Sequence, residues 1–199
     1  MRRGSDSLKT KTNATLLIGV IVAAMAIYAI VAHNKLVAAE ENAAGKWAQV
    51  DNQLKRRADL IPNLVETVKG YAAHENEAIE AVSAARSRVA GASSPTDLIQ
   101  SNLLLTSALG NFRSVFSGYP ELKANENFQK LMDSLEGTEN RIAVARKDYN
   151  EAVAAYNGKR RQFPGSLIAS VTGLDAMPYF EASEQDKATP VVDFGGAKR

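Results

Sequence analysis

Apolar residues along this chain follow two different patterns. From Ala14 to Ala32 the sequence ATLLIGVIVAAMAIYAIVA is apolar on every helical face, 19 residues without a charge. As a helix this run spans about 28 Å, against a hydrocarbon thickness of roughly 30 Å, and it predicts a transmembrane helix over 14–32. From Trp47 the apolar positions become periodic: Trp47, Val50, Leu54, Ile61, Val65 and Val68 recur at spacings of three, four, seven, four and three. That is one stripe on an amphipathic helix, with Lys55, Arg56 and Asp59 largely off it. Pro62 removes a backbone donor and crowds the carbonyl of Ala58, yet the stripe keeps its phase across it. A kink is expected there rather than a stop, with Gly70 as the terminator.

Further helices follow. Glu75–Ala90 places Ile79, Val82 and Val89 on one face, and Gly91 to Pro95 breaks the pattern. Ser94 or Thr96 can cap the next helix, whose apolar face runs from Ile99 through Leu105 and Phe112 to Phe116 and ends at Tyr119-Pro120. A last long helix starts near Asn125 and carries Phe128, Leu131, Leu135, Ile142, Tyr149, Val153 and Tyr156 to about Arg160. Phe163-Pro164-Gly165 stops it. A short apolar segment, Leu167–Val171, precedes an irregular tail in which Val191–Phe194 can lie extended.

Helices of this kind, joined by short loops, bury their stripes only against each other. The expected fold is therefore all-α: an N-terminal transmembrane helix followed by an antiparallel up-and-down bundle of about four helices. A three-rod bundle with a broken middle rod over Glu75–Gly118 is the alternative. The division is a basic tail over 1–13, the span over 14–32, the bundle over 33–165, and a short helix with an extended tail over 166–199.

Charge changes this picture in one place. The whole chain carries +2, but Arg2, Arg3, Lys9 and Lys11 against Asp6 put +3 into the first 13 residues, so the rest is close to neutral at −1. A nucleic-acid partner, which calls for a basic patch on the folded body, is not expected. Four cations precede the span and only Lys35 and Lys46 follow within about 20 residues, which favours a cytoplasmic N-terminus. Counting Lys55, Arg56 and Arg57 as well would erase that asymmetry. A cleaved signal peptide is the competing reading of the N-terminus, with Val37-Ala38-Ala39 as its site, but its apolar region is normally only about 7 to 15 residues. The chain has no cysteine, so disulfides, lipid attachment to cysteine and thiolate chemistry are excluded.

Several long motifs closely resemble the LemA family. They are Trp47 to Asp51, Gln53 to Val65, Gly70 to Glu75, Tyr119 to Ala124 with Asn127-Phe128, Thr138 to Ala143 with Ala145 to Asn150, and Tyr156-Asn157 with Phe163-Pro164. His33, where family members often have tyrosine, and Asn52, in place of an apolar residue, are the departures. The resemblance implies a bacterial membrane protein with one N-terminal span and a helical body; it does not imply an enzyme, since no catalytic activity or cofactor defines the family. It also implies a short N-terminus outside the cell, against the charge count, which we follow: the expected location is the inner membrane, single-pass, with the bundle outside.

No catalytic, cofactor or metal site is expected. His74-Glu75 lacks the second histidine of a zinc motif, since position 78 is alanine. The candidate interaction surface consists of Lys55, Arg56, Arg57, Asn140, Arg146, Tyr149 and Asn150. Its plainer readings are a solvated helix face for the three cations and inter-helix hydrogen bonds for the others. Three functions follow as expectations. The first is a non-enzymatic scaffold or adaptor with an envelope protein partner. The second is a ligand receptor or enzyme with an inter-helix site built from Asn140, Arg146 and Tyr149. The third is a self-associating membrane organiser joined through Gly19 and Ala23.

Overall fold

The computed structural model describes residues 4–71 and 75–180, with side chains from Leu16 onward. Its regular structure among these residues is entirely helical: α1 Gly4–Lys69, α2 Asn76–Gly91, α3 Pro95–Phe116, α4 Pro120–Lys123, α5 Glu126–Arg161 and α6 Gly165–Thr172. The all-α bundle read from the stripes is the observed fold. Val191–Phe194 lies outside the described residues.

The apolar run and the first amphipathic stripe, separate in the sequence reading, belong to one helix of 66 residues. Between them, Leu36, Ala39 and Ala43 are buried and extend the stripe backward at spacings of three and four. The segment is alanine-rich and holds no helix breaker that its neighbours do not override. Pro62 sits on the exposed side of α1, which passes through it and ends at Lys69, so it does not divide the helix in two.

Local chemistry sets the other boundaries. The Ser94 hydroxyl accepts from the Asp97 amide at 3.1 Å, while the Asp97 carboxylate accepts from the Ser93 amide at 3.0 Å, a reciprocal cap that starts α3. Asn125 caps α5 in the same way, accepting from the amides of Asn127 and Phe128 at 2.9 and 3.1 Å. Pro120 lies beyond the end of α3, as expected, but it also opens α4, a single turn that the apolar pattern did not signal.

The described residues form two compact units, one made by those through Lys46 with residues 151–177, the other by Trp47–Asn150 with residues 178–180. In the second unit α2 and α3 pack side by side across the three-residue link Ala92–Ser94. They are packed neighbours and not a broken single rod, which settles that choice in favour of separate helices. Its core is the inward stripe of each: Leu54, Ile61 and Leu64 of α1, Val82 of α2, Leu105, Phe112 and Phe116 of α3, and Leu135 and Ile142 of α5. Each such fully buried side chain contributes about 1.5–3 kcal/mol. In the first unit, Leu36 and Ala39 of α1, Tyr156 of α5 and Ala169 of α6 form the core, with Ile168, Leu174 and Met177 against it.

Candidate functional site

The residues singled out in the sequence fall into separate places. Lys55 is exposed and pairs with Asp51 at 2.7 Å, one turn away, an interaction worth at most about 1 kcal/mol. Arg56 is exposed beside it. Arg57 is not part of that solvated face: it is 1% exposed, one of the largest fully buried side chains among the described residues. The apolar stripe explains why. Position 57 is three residues after Leu54 and four before Ile61, inside the seven-residue gap in the spacing, so the helix aims Arg57 into the core.

Such a charge is tolerated only when it is paired and hydrogen-bonded. The guanidinium pairs with the Glu139 carboxylate of α5 and with the Asn102 side-chain oxygen of α3. It also donates to the Asn102 carbonyl at 3.2 Å and to the Thr106 hydroxyl at 3.0 Å. Burial lowers its pKa, Glu139 opposes that by charge and hydrogen bond, and Arg146 adds a smaller lowering. As an arginine it stays protonated throughout. Asn102, buried and on the inward face of α3, is the partner that sequence reasoning missed; a polar residue between Ile99 and Leu105 on an apolar face is the signal that marks it. A cavity of about 230 Å³ adjoins the pair, lined by Arg57, Thr106, Leu109, Phe112, Met132 and Glu139 among others.

Tyr149, Asn150 and Arg146 come together elsewhere, on the chain after α6. Tyr149 is buried, its ring 5.2 Å from that of Trp47, and its hydroxyl donates to the Pro178 carbonyl at 2.8 Å. The Asn150 amide grips Phe180 from both sides, donating to its carbonyl at 3.0 Å and accepting from its N–H at 2.8 Å. The Arg146 guanidinium lies 4.5 Å from the centre of the Phe180 ring. Asn140 is exposed, and nine residues along a helix put it about 180° around α5 from Tyr149. The structure therefore does not assemble Asn140 and Tyr149 into one inter-helix site.

Within the other unit the same chemistry recurs seven residues on. Tyr156 donates to the Asp175 carbonyl at 2.7 Å, and Asn157 grips Met177 with bonds of 2.9 and 3.1 Å. Arg160 donates through Nε to the Leu174 carbonyl at 2.7 Å. Both Tyr-Asn pairs thus hold irregular chain by its backbone, satisfying groups that no helix or strand satisfies there. Asn157→Ala leaves the Met177 N–H and carbonyl without partners and is expected to cost about 2 kcal/mol, read as a lower melting temperature with faster amide exchange at Met177.

Burial raises the pKa of both hydroxyls, and at Tyr156 the charge of Glu40 acts in the same direction. The folded state therefore binds these protons more tightly than the unfolded chain, whose tyrosines titrate near pH 10. Their contribution is complete below about pH 10 and is lost as pH rises from there through the folded pKa values. Melting curves between about pH 9 and about pH 11 are expected to show this loss, reduced in Tyr149→Phe with Tyr156→Phe.

Among the described residues no group of three potential metal-ligating side chains occurs, and His74 lies outside them. Leu16 to Val31 are the most exposed large apolar residues of α1, which makes this helix long and apolar enough to cross a membrane. A helix that is apolar all round and covered by no protein is suited to lipid. The class defined so far is an all-α bundle carried on such a helix.

Residues 46–194 match the LemA family, so the chain belongs to it. It is also similar to magnetosome protein MamQ 2 of Paramagnetospirillum magneticum, 25% identical over 207 residues that cover 90% of this chain and 76% of that protein. Magnetosome protein MamQ of Magnetospirillum gryphiswaldense is 24% identical over 218 residues, 96% of this chain and 78% of that one. Protein LemA of Metamycoplasma hominis is 24% identical over 134 residues, 67% and 61% respectively. The match to the family extends past Phe180 and so includes both the Tyr-Asn pairs and the chain they hold. None of these names is that of an enzyme.

Proposed function

We propose that this protein is a non-enzymatic, membrane-anchored scaffold or adaptor of the bacterial envelope, with its N-terminus in the cytoplasm and its helical body outside. The observation that carries this reading is α1 itself. Its residues Leu16 to Val31 are apolar and uncovered, and the same helix goes on to supply buried core residues as far as Val68. The polar groups richest in chemical potential, Arg57, Glu139, Tyr149 and Asn150, are spent on internal contacts. Lys55, Arg56 and Asn140 are exposed and are the residues we assign to partner contact.

Cysteines placed singly at Ser7 and Ser93 of this cysteine-free chain test the topology with a membrane-impermeant thiol reagent in intact cells. Labelling at 93 alone agrees with a body outside; labelling at 7 alone reverses the orientation. Crosslinkers at Arg56 and Asn140 then test the adaptor role. Capture of a distinct envelope protein supports it, and capture of only a second copy moves the assignment to the self-associating organiser, with Gly19 and Ala23 as the contact to replace.

One observation favours a small-ligand receptor as a second reading: the cavity beside Arg57, together with the Arg57 Nε, which is buried without a protein partner. A small carboxylate or phosphate is the matching chemistry. No thermal shift of the full chain across a panel of such anions removes this reading.

A further inference from the structure

Three strongly exposed large apolar side chains outside the span cluster at α6 and the turn that leads into it. Leu167 is 60% and Val171 80% exposed, four apart on the outward face of α6, and Phe163, 80% exposed, stands in the turn just before it. The opposite face of α6 is committed: Ala169 is buried and Ile168 packs against Leu36, Ala39 and Tyr156. Three large apolar groups exposed on an eight-residue helix and the turn before it are costly in water and call for a cover.

Position identifies the cover. Leu167, Ile168, Val171 and Thr172 line one depression with Ala29, Ile30 and His33 of α1. Phe163, Pro164 and Gly165 line another with Tyr28, Val31 and Lys35, closed by Lys159 and Gln162. The helix thus flanks α1 where the 19-residue apolar run ends, and its outward face continues the uncovered apolar surface of the span. Charge agrees with a lipid surface. No Asp or Glu occurs between Ala14 and Ala39, nor between Ala152 and Leu174, whereas Lys35, Lys159, Arg160 and Arg161 all fall there. Lys35, Lys159 and Arg161 lie at least partly in solvent. An exposed apolar face flanked by cations is the pattern of a helix lying at the boundary between headgroups and acyl chains.

We propose that α6 is a second membrane contact, lying in the bilayer interface beside the span with Phe163, Leu167 and Val171 inserted among the acyl chains, and with Lys35, Lys159 and Arg161 on anionic headgroups. This rests on the reading of 14–32 as a span. It adds a point of attachment contributed by the far end of the sequence, more than 120 residues after the anchor.

The test uses the full chain in vesicles of phosphatidylcholine with phosphatidylglycerol. Nitroxide labels are introduced one at a time by Val22→Cys in the span, Leu167→Cys and Val171→Cys in α6, and Ser87→Cys on the exposed side of α2. Collisions with oxygen and with a water-soluble nickel chelate are compared at each. Leu167→Cys and Val171→Cys are expected to match Val22→Cys, with a several-fold loss of chelate access relative to Ser87→Cys. If both α6 labels behave like Ser87→Cys while Val22→Cys stays protected, the interfacial placement is overturned and the span stands. If Val22→Cys is also open to the chelate, the span reading itself fails. Protection of the α6 labels accompanied by spin–spin broadening that vanishes on dilution with unlabelled chain identifies a second copy as the cover, and overturns the proposal as well.

Discussion

Arg57→Ala is expected to destabilise the body by about 3 kcal/mol, lowering the melting temperature by roughly 6–12 °C with little change in the denaturant slope. Two losses combine. A fully buried side chain disappears next to a cavity of about 230 Å³, so neighbouring groups gain space they cannot fill. The side-chain oxygen of Asn102 also loses its Arg57 donor in a buried setting, while the Asn102 carbonyl keeps the Thr106 hydroxyl at 3.0 Å. Arg57→Lys keeps the charge but not the planar fork whose two terminal nitrogens separately reach Glu139 on α5 and Asn102 on α3, so about 2 kcal/mol is still lost. The direct coupling to Glu139 is smaller. Its side chain is 49% exposed, so water recovers it when Arg57 is gone. A double-mutant cycle with Glu139→Ala is expected to return about 1 kcal/mol, shrinking in high salt. A coupling equal to the whole loss would place the energy in the ion pair, and would leave nothing for the cavity and the stranded side-chain oxygen of Asn102.

Gly165→Ala is the second large effect, also about 3 kcal/mol, and it is local. A Cβ at this position lies well inside contact distance of the Lys159 carbonyl oxygen and 3.2 Å from the Lys159 carbonyl carbon. Both are backbone atoms of the last turn of α5, so no side chain can swing aside, and the turn into α6 has to open. Hydrogen exchange is expected to quicken at Ala169 and Gly173 while amides around Leu54 and Leu64 keep their protection. Gly110→Ala is the contrast. Nothing lies within 4 Å of its Cβ position, and it sits inside α3, so the change is expected to stabilise by about 0.5–1 kcal/mol.

What could be read from the sequence was what local periodicity encodes. The four long stripes gave the helices, and Ser94, Asn125 and Gly70 marked ends because a hydroxyl, an amide and a missing Cβ act on the nearest few residues. The continuity of α1 was less visible, since Ala39 and Ala43 bury a face without adding much hydrophobicity to it. Arg57 stood in plain view at a core position of its stripe, but its charge drew it into the same reading as Lys55 and Arg56; its acceptors on α3 and α5 are 45 and 82 residues away in sequence. The role of Tyr149 and Asn150 was hidden for a related reason. Their partners are backbone groups of Pro178 and Phe180, and a carbonyl carries no mark in a sequence.

That last feature bears on how the family can vary. The side chains of Tyr156, Asn157 and Arg160 in one unit, and of Tyr149 and Asn150 in the other, read only the main chain of what they hold. The exposed members of the held segment, Asp175, Ala176 and Tyr179, contribute no side chain to these bonds and are open to drift. The burden of inheritance falls on the holders: one substitution at an asparagine undoes a grip that many successive substitutions in the gripped chain leave intact.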